Sequence, residues 1–132
     1  MGRPVPLALL SVLLLAAAAA AAAPPVLAAD HVVGGGVWSI PTTPELYNVW
    51  SANQSFVVGD NLVFRFEMGF YDVVQVSRGE YDRCTADDPY SDLFRASPTV
   101  VPLDFAGVRY YVCSVGNYCA LGLKFFARIE KN

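Results

Sequence analysis

The segment NLVFRFE at residues 61–67 indicates the fold class, because its apolar side chains recur at every second position. Leu62, Phe64 and Phe66 share one face, and Arg65 lies on the other. A period of two residues is typical of a β-strand that has one buried face and one wetter face. The sequence therefore predicts sheet structure here, and no segment has the pattern of a long amphipathic helix.

The same kind of pattern recurs along the chain in seven short apolar segments separated by turn residues. They occupy residues 31–33, 55–58, 61–67, 71–76, 99–103, 108–113 and 124–130. Seven short strands in about 100 residues are typical of an all-β sandwich or barrel. The glycines of Gly59-Asp60 and Ala106-Gly107 predict tight hairpin turns, and Pro102 predicts an edge or the end of a strand.

Two short helical turns are predicted beside the strands. Thr43 offers an N-cap for a helix at residues 44–49, which begins with a proline and an acidic residue. Ser77 and Glu80 have the spacing of a capping box, which predicts a second turn that ends at Cys84.

Residues 1–29 have the composition of a secretory signal peptide. Arg3 is their only charged residue, a long apolar run follows it, and Val26-Leu27-Ala28-Ala29 places small residues at the positions that a signal peptidase inspects. The Ala-rich run is only weakly hydrophobic for a membrane anchor. We therefore expect cleavage near Ala28 or Ala29, which leaves one secreted domain at residues 30–132.

The charge of the mature chain excludes some classes of partner. Leaving Arg3 out of the nine basic residues gives eight against twelve acidic ones, a net charge of about −4. Nucleic-acid binding requires clustered Lys and Arg that displace phosphate counterions, and anionic lipid also attracts basic surfaces. We therefore expect no nucleic-acid partner and no direct membrane insertion.

Three cysteines, Cys84, Cys113 and Cys119, remain in the mature chain. An oxidising extracellular setting favours one disulfide and one leftover thiol, and counting alone allows three pairings. A bridge between Cys84 and Cys119 would close a loop of about 36 residues and contribute roughly 4 kcal/mol in the chain-entropy model.

Residues that could carry chemistry are scarce. His31 is the only histidine, so a Ser-His-Asp or Cys-His site is not expected, and His31 is interpreted as a strand-edge residue. Asp87, Asp88 and Asp92 lack the spacing of a calcium loop and predict a solvated acidic loop. Asn53 begins the sequon Asn-Gln-Ser, which predicts N-glycosylation in a secreted protein.

Taken in order, the residues of the mature chain resemble those of the plant phytocyanins. The N-terminal part of this resemblance rests on Gly35 to Trp38, Pro41, Tyr47, Trp50, Phe56, Val58-Gly59-Asp60, Leu62-Val63-Phe64, Val73-Val74, Val76, Tyr81 and Cys84. The C-terminal part rests on Leu103, Gly107, Tyr110-Tyr111-Val112-Cys113, Gly116, Cys119, Gly122 and Lys124. The resemblance implies a cupredoxin-like Greek-key β-sandwich, and it implies a disulfide between Cys84 and Cys119.

The resemblance also assigns four copper-ligand positions, which in copper-binding phytocyanins hold His, Cys, His and an axial Met or Gln. In this sequence they are Tyr71, Cys113, Tyr118 and Leu123. Two imidazoles and a thiolate make the trigonal copper site, whereas neutral phenols are poor substitutes and Leu has no lone pair. We therefore expect no copper and no other cofactor.

This ligand pattern resembles the early nodulin-like branch of the phytocyanins. It implies a non-enzymatic extracellular binding or signalling module, and the alternative is a blue-copper electron-transfer protein. The expected partner is an extracellular protein or a cell-wall glycan, and we expect a monomer in the apoplast or at the outer face of the plasma membrane. Phe70, Tyr71, Asn117 and Tyr118 form the expected partner surface, although packing alone would also account for the aromatic rings.

Overall fold

The computed structural model describes residues 27–132, so most of the predicted signal peptide at residues 1–29 lies outside the described residues. The seven strands are β1 (Asp30–Val32), β2 (Phe56–Val57), β3 (Asn61–Phe64), β4 (Val74–Val76), β5 (Thr99–Pro102), β6 (Gly107–Val112) and β7 (Lys124–Glu130). A 3-10 turn at Val33–Gly35 and two helices, α1 (Leu46–Ala52) and α2 (Arg78–Arg83), complete the fold. Within residues 27–132 no helix has the length and apolar character that a membrane-spanning segment needs.

The strands form two sheets, and each of the seven predicted segments overlaps one of them. One sheet has the order β1-β3-β5, and the other has the order β2-β7-β6-β4. β1 pairs with β3 and β2 pairs with β7 in parallel, while the other pairs are antiparallel. Pro102 ends the edge strand β5, where its missing N–H removes no ladder bond that a central strand would need. The predictions of an all-β sandwich and of an edge position for Pro102 are confirmed.

The predicted hairpins at Gly59-Asp60 and Ala106-Gly107 are wrong. β2 and β3, on either side of Gly59, belong to different sheets, and so do β5 and β6, on either side of Gly107. Both glycines do have the expected positive φ, 101° and 130°, which residues with a Cβ rarely adopt. The prediction of a turn at each glycine was therefore correct. Each turn leads from one sheet to the other, because each strand pairs with strands that are distant in sequence.

Aromatic side chains fill the space between the two sheets. The fully buried Trp38 ring lies 5.2 Å from the ring of Phe64 on β3 and 6.2 Å from that of Phe125 on β7, both in edge-on geometry. Phe125 also stacks on Tyr111 of β6 at 5.5 Å. Such pairs each contribute about 0.5–1.5 kcal/mol beyond the burial of their area. The side chains on the inward face of the alternating pattern, such as Leu62 and Phe64, therefore belong to the core.

Helix α1 begins and ends later than the predicted residues 44–49. Thr43 does not cap it through its side chain; its backbone carbonyl instead accepts the Leu46 N–H at 3.2 Å, which makes a turn before the helix. The helix continues to Ala52 because Ser51 donates its hydroxyl to the Phe126 carbonyl at 2.6 Å. A turn at Thr43 therefore precedes the start of the helix, and contact with β7 accompanies its longer C-terminal end.

Helix α2 and the disulfide agree with the predictions. The Ser77 hydroxyl accepts the Glu80 N–H at 3.2 Å, and Cys84 ends the helix in the left-handed conformation at φ 56°. Cys84 is bonded to Cys119 with a Cα–Cα distance of 5.6 Å, while Cys113 is free and buried. The disulfide joins the end of α2 to the loop between β6 and β7.

Gly122 shows how closely that loop packs on the segment before α1. A Cβ at Gly122, where φ is 111°, would lie 2.7 Å from the Pro44 Cα and 2.8 Å from its carbonyl oxygen. We expect Gly122→Ala to lower the free energy of unfolding by at least about 2 kcal/mol more than Gly59→Ala does. Urea unfolding measures both variants.

Gly59→Ala is the matched control, because Gly59 also has positive φ but no atom within 4 Å of its added Cβ. It isolates the backbone cost, which is about 1 kcal/mol. Equal losses in the two variants would show that the close approach to Pro44 contributes nothing.

Candidate functional site

The four copper-ligand positions meet at one end of the sandwich. Tyr71 lies in the loop between β3 and β4, and Cys113 directly follows β6. Tyr118 and Leu123 lie in the loop between β6 and β7. The structure thus brings together all four positions that the sequence resemblance assigned, on loops that leave the same end of the two sheets.

The two tyrosines form a contacting pair. Their ring centroids lie 5.6 Å apart with an interplanar angle of 50°. Both side chains are half-buried and pack against the main core, which includes the buried Cys113 and Leu123. Where a copper site would have two imidazoles and an axial ligand, this end of the sandwich therefore has two phenol rings and an aliphatic side chain.

Backbone hydrogen bonds hold the β6–β7 loop in shape. The Tyr118 N–H donates to the Val115 carbonyl at 3.1 Å, and the Leu123 N–H donates to the Tyr118 carbonyl at 3.0 Å. The Cys113 N–H in turn donates to the Leu123 carbonyl at 3.1 Å. Three of the four positions therefore belong to one hydrogen-bonded loop, which needs no metal ion to link them.

Asp72 connects this loop to the one that carries Tyr71, and sequence reasoning missed it. Its carboxylate accepts the Ser114 N–H at 2.7 Å and the Ser114 hydroxyl at 2.6 Å, and its own carbonyl accepts the Trp38 indole N–H at 2.9 Å. Bonds to a buried carboxylate are strong because the acceptor is charged. A weak signal existed, since Asp72 and Ser114 are each next to a ligand position, but 42 residues separate them.

Burial controls the chemistry of Cys113. Its side chain is 2% exposed, and desolvation raises the pKa of the thiol to about 11, against the opposing effect of backbone N–H groups of Asp72 and Val115. A thiol with this pKa is almost entirely protonated at neutral pH and is a weak nucleophile. The expectation that Cys113 acts as a small buried apolar residue is consistent with this geometry.

Beside the ligand positions, the end of the sandwich presents apolar side chains to solvent. Phe70 is 57% exposed, and Asn117 is also exposed. Met68, which forms a β-bridge with Tyr71, and Leu121, whose N–H donates to the Asn117 carbonyl, extend the exposed apolar area. We call the four predicted surface residues, Phe70, Tyr71, Asn117 and Tyr118, the aromatic end.

His31 and the acidic loop take part in contacts that hold the fold together. His31 contacts Asp60, with 2.8 Å between Nε2 and Oδ2. The backbone N–H of Asp88 donates to the Glu80 carboxylate at 3.2 Å, so the acidic loop folds over α2. Within residues 27–132, no three His, Cys, Asp or Glu side chains are grouped so that they could hold a metal ion.

The sequon lies at an accessible position. Asn53 is the exposed residue that follows α1, and its side-chain amide donates to the Val49 carbonyl at 3.0 Å. A glycan on this amide nitrogen would leave one N–H, which is enough to keep that hydrogen bond. Glycosylation of Asn53 stays a prediction that the geometry allows.

Comparison with known proteins agrees with the two-sheet architecture. The family model for the plastocyanin-like domain matches residues 38–123. The chain is 36% identical over 96 residues to cucumber peeling cupredoxin from Cucumis sativus, covering 71% of this chain and 70% of that protein. This chain belongs to the phytocyanin family of cupredoxins. Phytocyanins are electron-transfer proteins rather than typical enzymes.

Early nodulin-like proteins are also among the relatives of this phytocyanin. It is 37% identical over 95 residues to early nodulin-like protein 15 from Arabidopsis thaliana, covering 70% of this chain and 53% of that protein. A blue copper protein from the same plant is 36% identical, with 48% of its length covered. The chain thus spans about half the length of these two curated relatives.

A solved structure shows the same fold. Cucumber stellacyanin with Cu²⁺ superposes with a TM-score of 0.76 at 32% identity, covering 81% of this chain and 99% of that one. The predicted family and the predicted cupredoxin-like sandwich are therefore confirmed.

The buried thiol gives this site a measurable pH dependence. The pKa of Cys113 rises from 9.0 to about 11 on folding, so above about pH 9 the unfolded chain loses a proton that the folded chain keeps. Stability is therefore lost as pH rises through this window, by about 1 kcal/mol between pH 8 and pH 10. Urea unfolding at the two pH values measures the loss.

Cys113→Ala is the control, since it leaves the tyrosines and the disulfide unchanged. We expect its stability to fall by about 1 kcal/mol less than that of the unaltered protein over the same range. Identical pH profiles for the two proteins would contradict the raised pKa.

Proposed function

We propose that this phytocyanin is a secreted, non-catalytic binding or signalling module of the early nodulin-like type, with a degenerate type 1 copper site. The observation that carries the proposal is the donor set at the four copper-ligand positions. It consists of one buried thiol, two phenols and the side chain of a fully buried Leu123. One conventional ligand out of four is retained.

These residues do not fit a type 1 copper ion. Such a site takes two imidazoles and a thiolate in a trigonal arrangement with a weak axial ligand. Phenols ordinarily ionise near pH 10, so a neutral pair would offer weak donors, and the aliphatic side chain offers none. The proposal therefore includes no copper and no other cofactor.

The framework around the ligand positions supports the alternative of a blue-copper electron-transfer protein. Asp72 still joins the two ligand loops through Ser114, and Cys113 occupies the thiolate position. Stellacyanin, whose solved structure contains Cu²⁺, has the same fold. Copper binding by the unaltered protein decides between the two functions.

Restoring the missing donors tests this choice. The variant with Tyr71→His, Tyr118→His and Leu123→Met should bind copper and show an intense visible band from the thiolate, because the loops already hold the four positions together. The unaltered protein, loaded with Cu²⁺ and dialysed, should stay colourless. Metal analysis and absorbance spectroscopy measure both.

Adding Cys113→Ser to the triple variant is the control, since it removes the thiolate and should abolish the band. A blue band from the unaltered protein would overturn the copper-free proposal and favour electron transfer. A colourless triple variant would show instead that the framework no longer supports a copper site.

The aromatic end is the surface that we assign to partner binding. Aromatic side chains offer large contact area, and their hydroxyls suit contacts with either a protein or a sugar. Phe70 stands in solvent beside the half-buried pair of Tyr71 and Tyr118. The proposed partner is an extracellular protein or a cell-wall glycan, and the proposed location is the apoplast or the outer face of the plasma membrane. N-glycosylation at Asn53 belongs to the same proposal.

Two exposed phenylalanines allow a matched test of this surface. Phe70 is 57% exposed at the aromatic end, and Phe105 is 75% exposed before β6, at the opposite end of that strand from Cys113. We expect Phe70→Ala to weaken binding of the labelled protein to isolated plant cell walls and protoplasts at least about tenfold, as a hot-spot residue would. Phe105→Ala should leave binding unchanged.

Both substitutions remove a solvent-exposed ring of the same size, so a loss of nonspecific hydrophobic binding would be equal in the two variants. Equal effects of Phe70→Ala and Phe105→Ala would contradict a specific surface at the aromatic end. The double variant Tyr71→Ala with Tyr118→Ala extends the test to the half-buried pair, with thermal unfolding as a check that it folds.

A further inference from the structure

Asp60 has a buried carboxylate that forms three hydrogen-bond contacts near the start of β1. The residue is 4% exposed. Its Oδ1 accepts the backbone N–H of Ala29 at 3.0 Å, while Oδ2 contacts Nε2 of His31 at 2.8 Å and accepts the Val57 N–H at 3.2 Å. The aromatic end does not account for this arrangement, because Asp60 contacts none of its residues.

Ala29 is held at both of its backbone groups. Besides the bond to Asp60, its carbonyl accepts the Asn61 N–H at 2.9 Å. The side chains of Leu27, Ala28 and Ala29 are all exposed, and Leu27 is among the most exposed apolar residues of the described chain. The fold therefore begins to hold the chain at Ala29, and the bond between Ala28 and Ala29 lies at the surface.

We propose that the mature chain begins at Ala29, and that its α-ammonium group binds to the carboxylate of Asp60. The proposal rests on the secretion included in the proposed function, and it selects one of the two cleavage positions that the sequence leaves open. A signal peptidase would hydrolyse the peptide bond with water, leaving a carboxylate on Ala28 and an amine on Ala29. That amine takes up a proton at neutral pH.

The sequence pattern independently favours this bond. Signal peptidases select small residues one and three positions before the cleaved bond. Cleavage after Ala28 places Ala28 one residue and Val26 three residues before the bond. Cleavage after Ala29 would instead place the larger Leu27 three residues before the bond. The preferred bond is thus the one that leaves the nitrogen of Ala29 beside Asp60.

Processing at this bond changes the interaction from a neutral hydrogen bond to a charged one. The peptide N–H of Ala29 is a single neutral donor, while an α-ammonium group carries a positive charge and three donors. Cleavage one residue later would remove the donor to Oδ1 and the acceptor for the Asn61 N–H together. Removal of the leader would therefore stabilise the fold only when it exposes Ala29.

N-terminal sequencing of the protein secreted from plant cells tests the cleavage site, with Ala29 as the expected first residue. Recombinant chains that begin at Ala29, with a free or an acetylated α-amino group, test the ion pair by urea unfolding. We expect acetylation to lower the equilibrium constant for folding by about fivefold to tenfold, because it restores a neutral donor. The same comparison in Asp60→Asn should show no difference.

A chain that begins at Ala28 is the matched control, because it has a free amine one residue too early and should behave like the acetylated form. This control and the acetylated chain keep every residue of the fold, so they remain informative even if Asp60→Asn does not fold. Secreted protein that begins at another residue, or equal stability of the free and acetylated chains, would overturn the proposal. Neither result depends on partner binding at the aromatic end, which is tested separately.

Discussion

The structure depends on Trp38, which joins the core of the sandwich to the loop that carries the first ligand position. Its buried ring contacts aromatic rings from both sheets, including Phe64 and Phe125. Its indole N–H donates to the carbonyl of Asp72, next to Tyr71. A buried indole N–H without an acceptor would be costly, so the packing of the core also determines where this loop lies.

The fold therefore keeps the two ligand loops in place, although the side chains at the four ligand positions differ from those of a copper-binding phytocyanin. Asp72 links the two ligand loops through Ser114, and this link involves no ligand side chain. Changes at Tyr71, Tyr118 and Leu123 can therefore alter the chemistry of the end of the sandwich while the fold stays that of a phytocyanin. This separation of framework from donors is the physical basis for proposing a binding role for this phytocyanin.

Sequence patterns predicted the elements better than their connections. Strand positions followed from alternation, and the Ser77 cap of α2 followed from a local spacing rule, because both depend on residues close in sequence. The cap predicted at Thr43 was wrong, since the Thr43 carbonyl accepts the Leu46 N–H in a turn and the helix begins only at Leu46. The pairing of Cys84 with Cys119 needed the family resemblance, because counting left three choices.

The amino-acid sequence alone predicted the all-β class and the approximate positions of the strands, and its resemblance to the phytocyanins assigned the four ligand positions. The sheet that each strand joins emerged only from the three-dimensional packing. The same packing brought Asp72 to Ser114 and Asp60 to His31, pairs separated by 42 and 29 residues. Alternation and capping are local, so they can be read along the chain. Sheet partners and buried carboxylate contacts depend on how distant segments pack, and no local pattern encodes them.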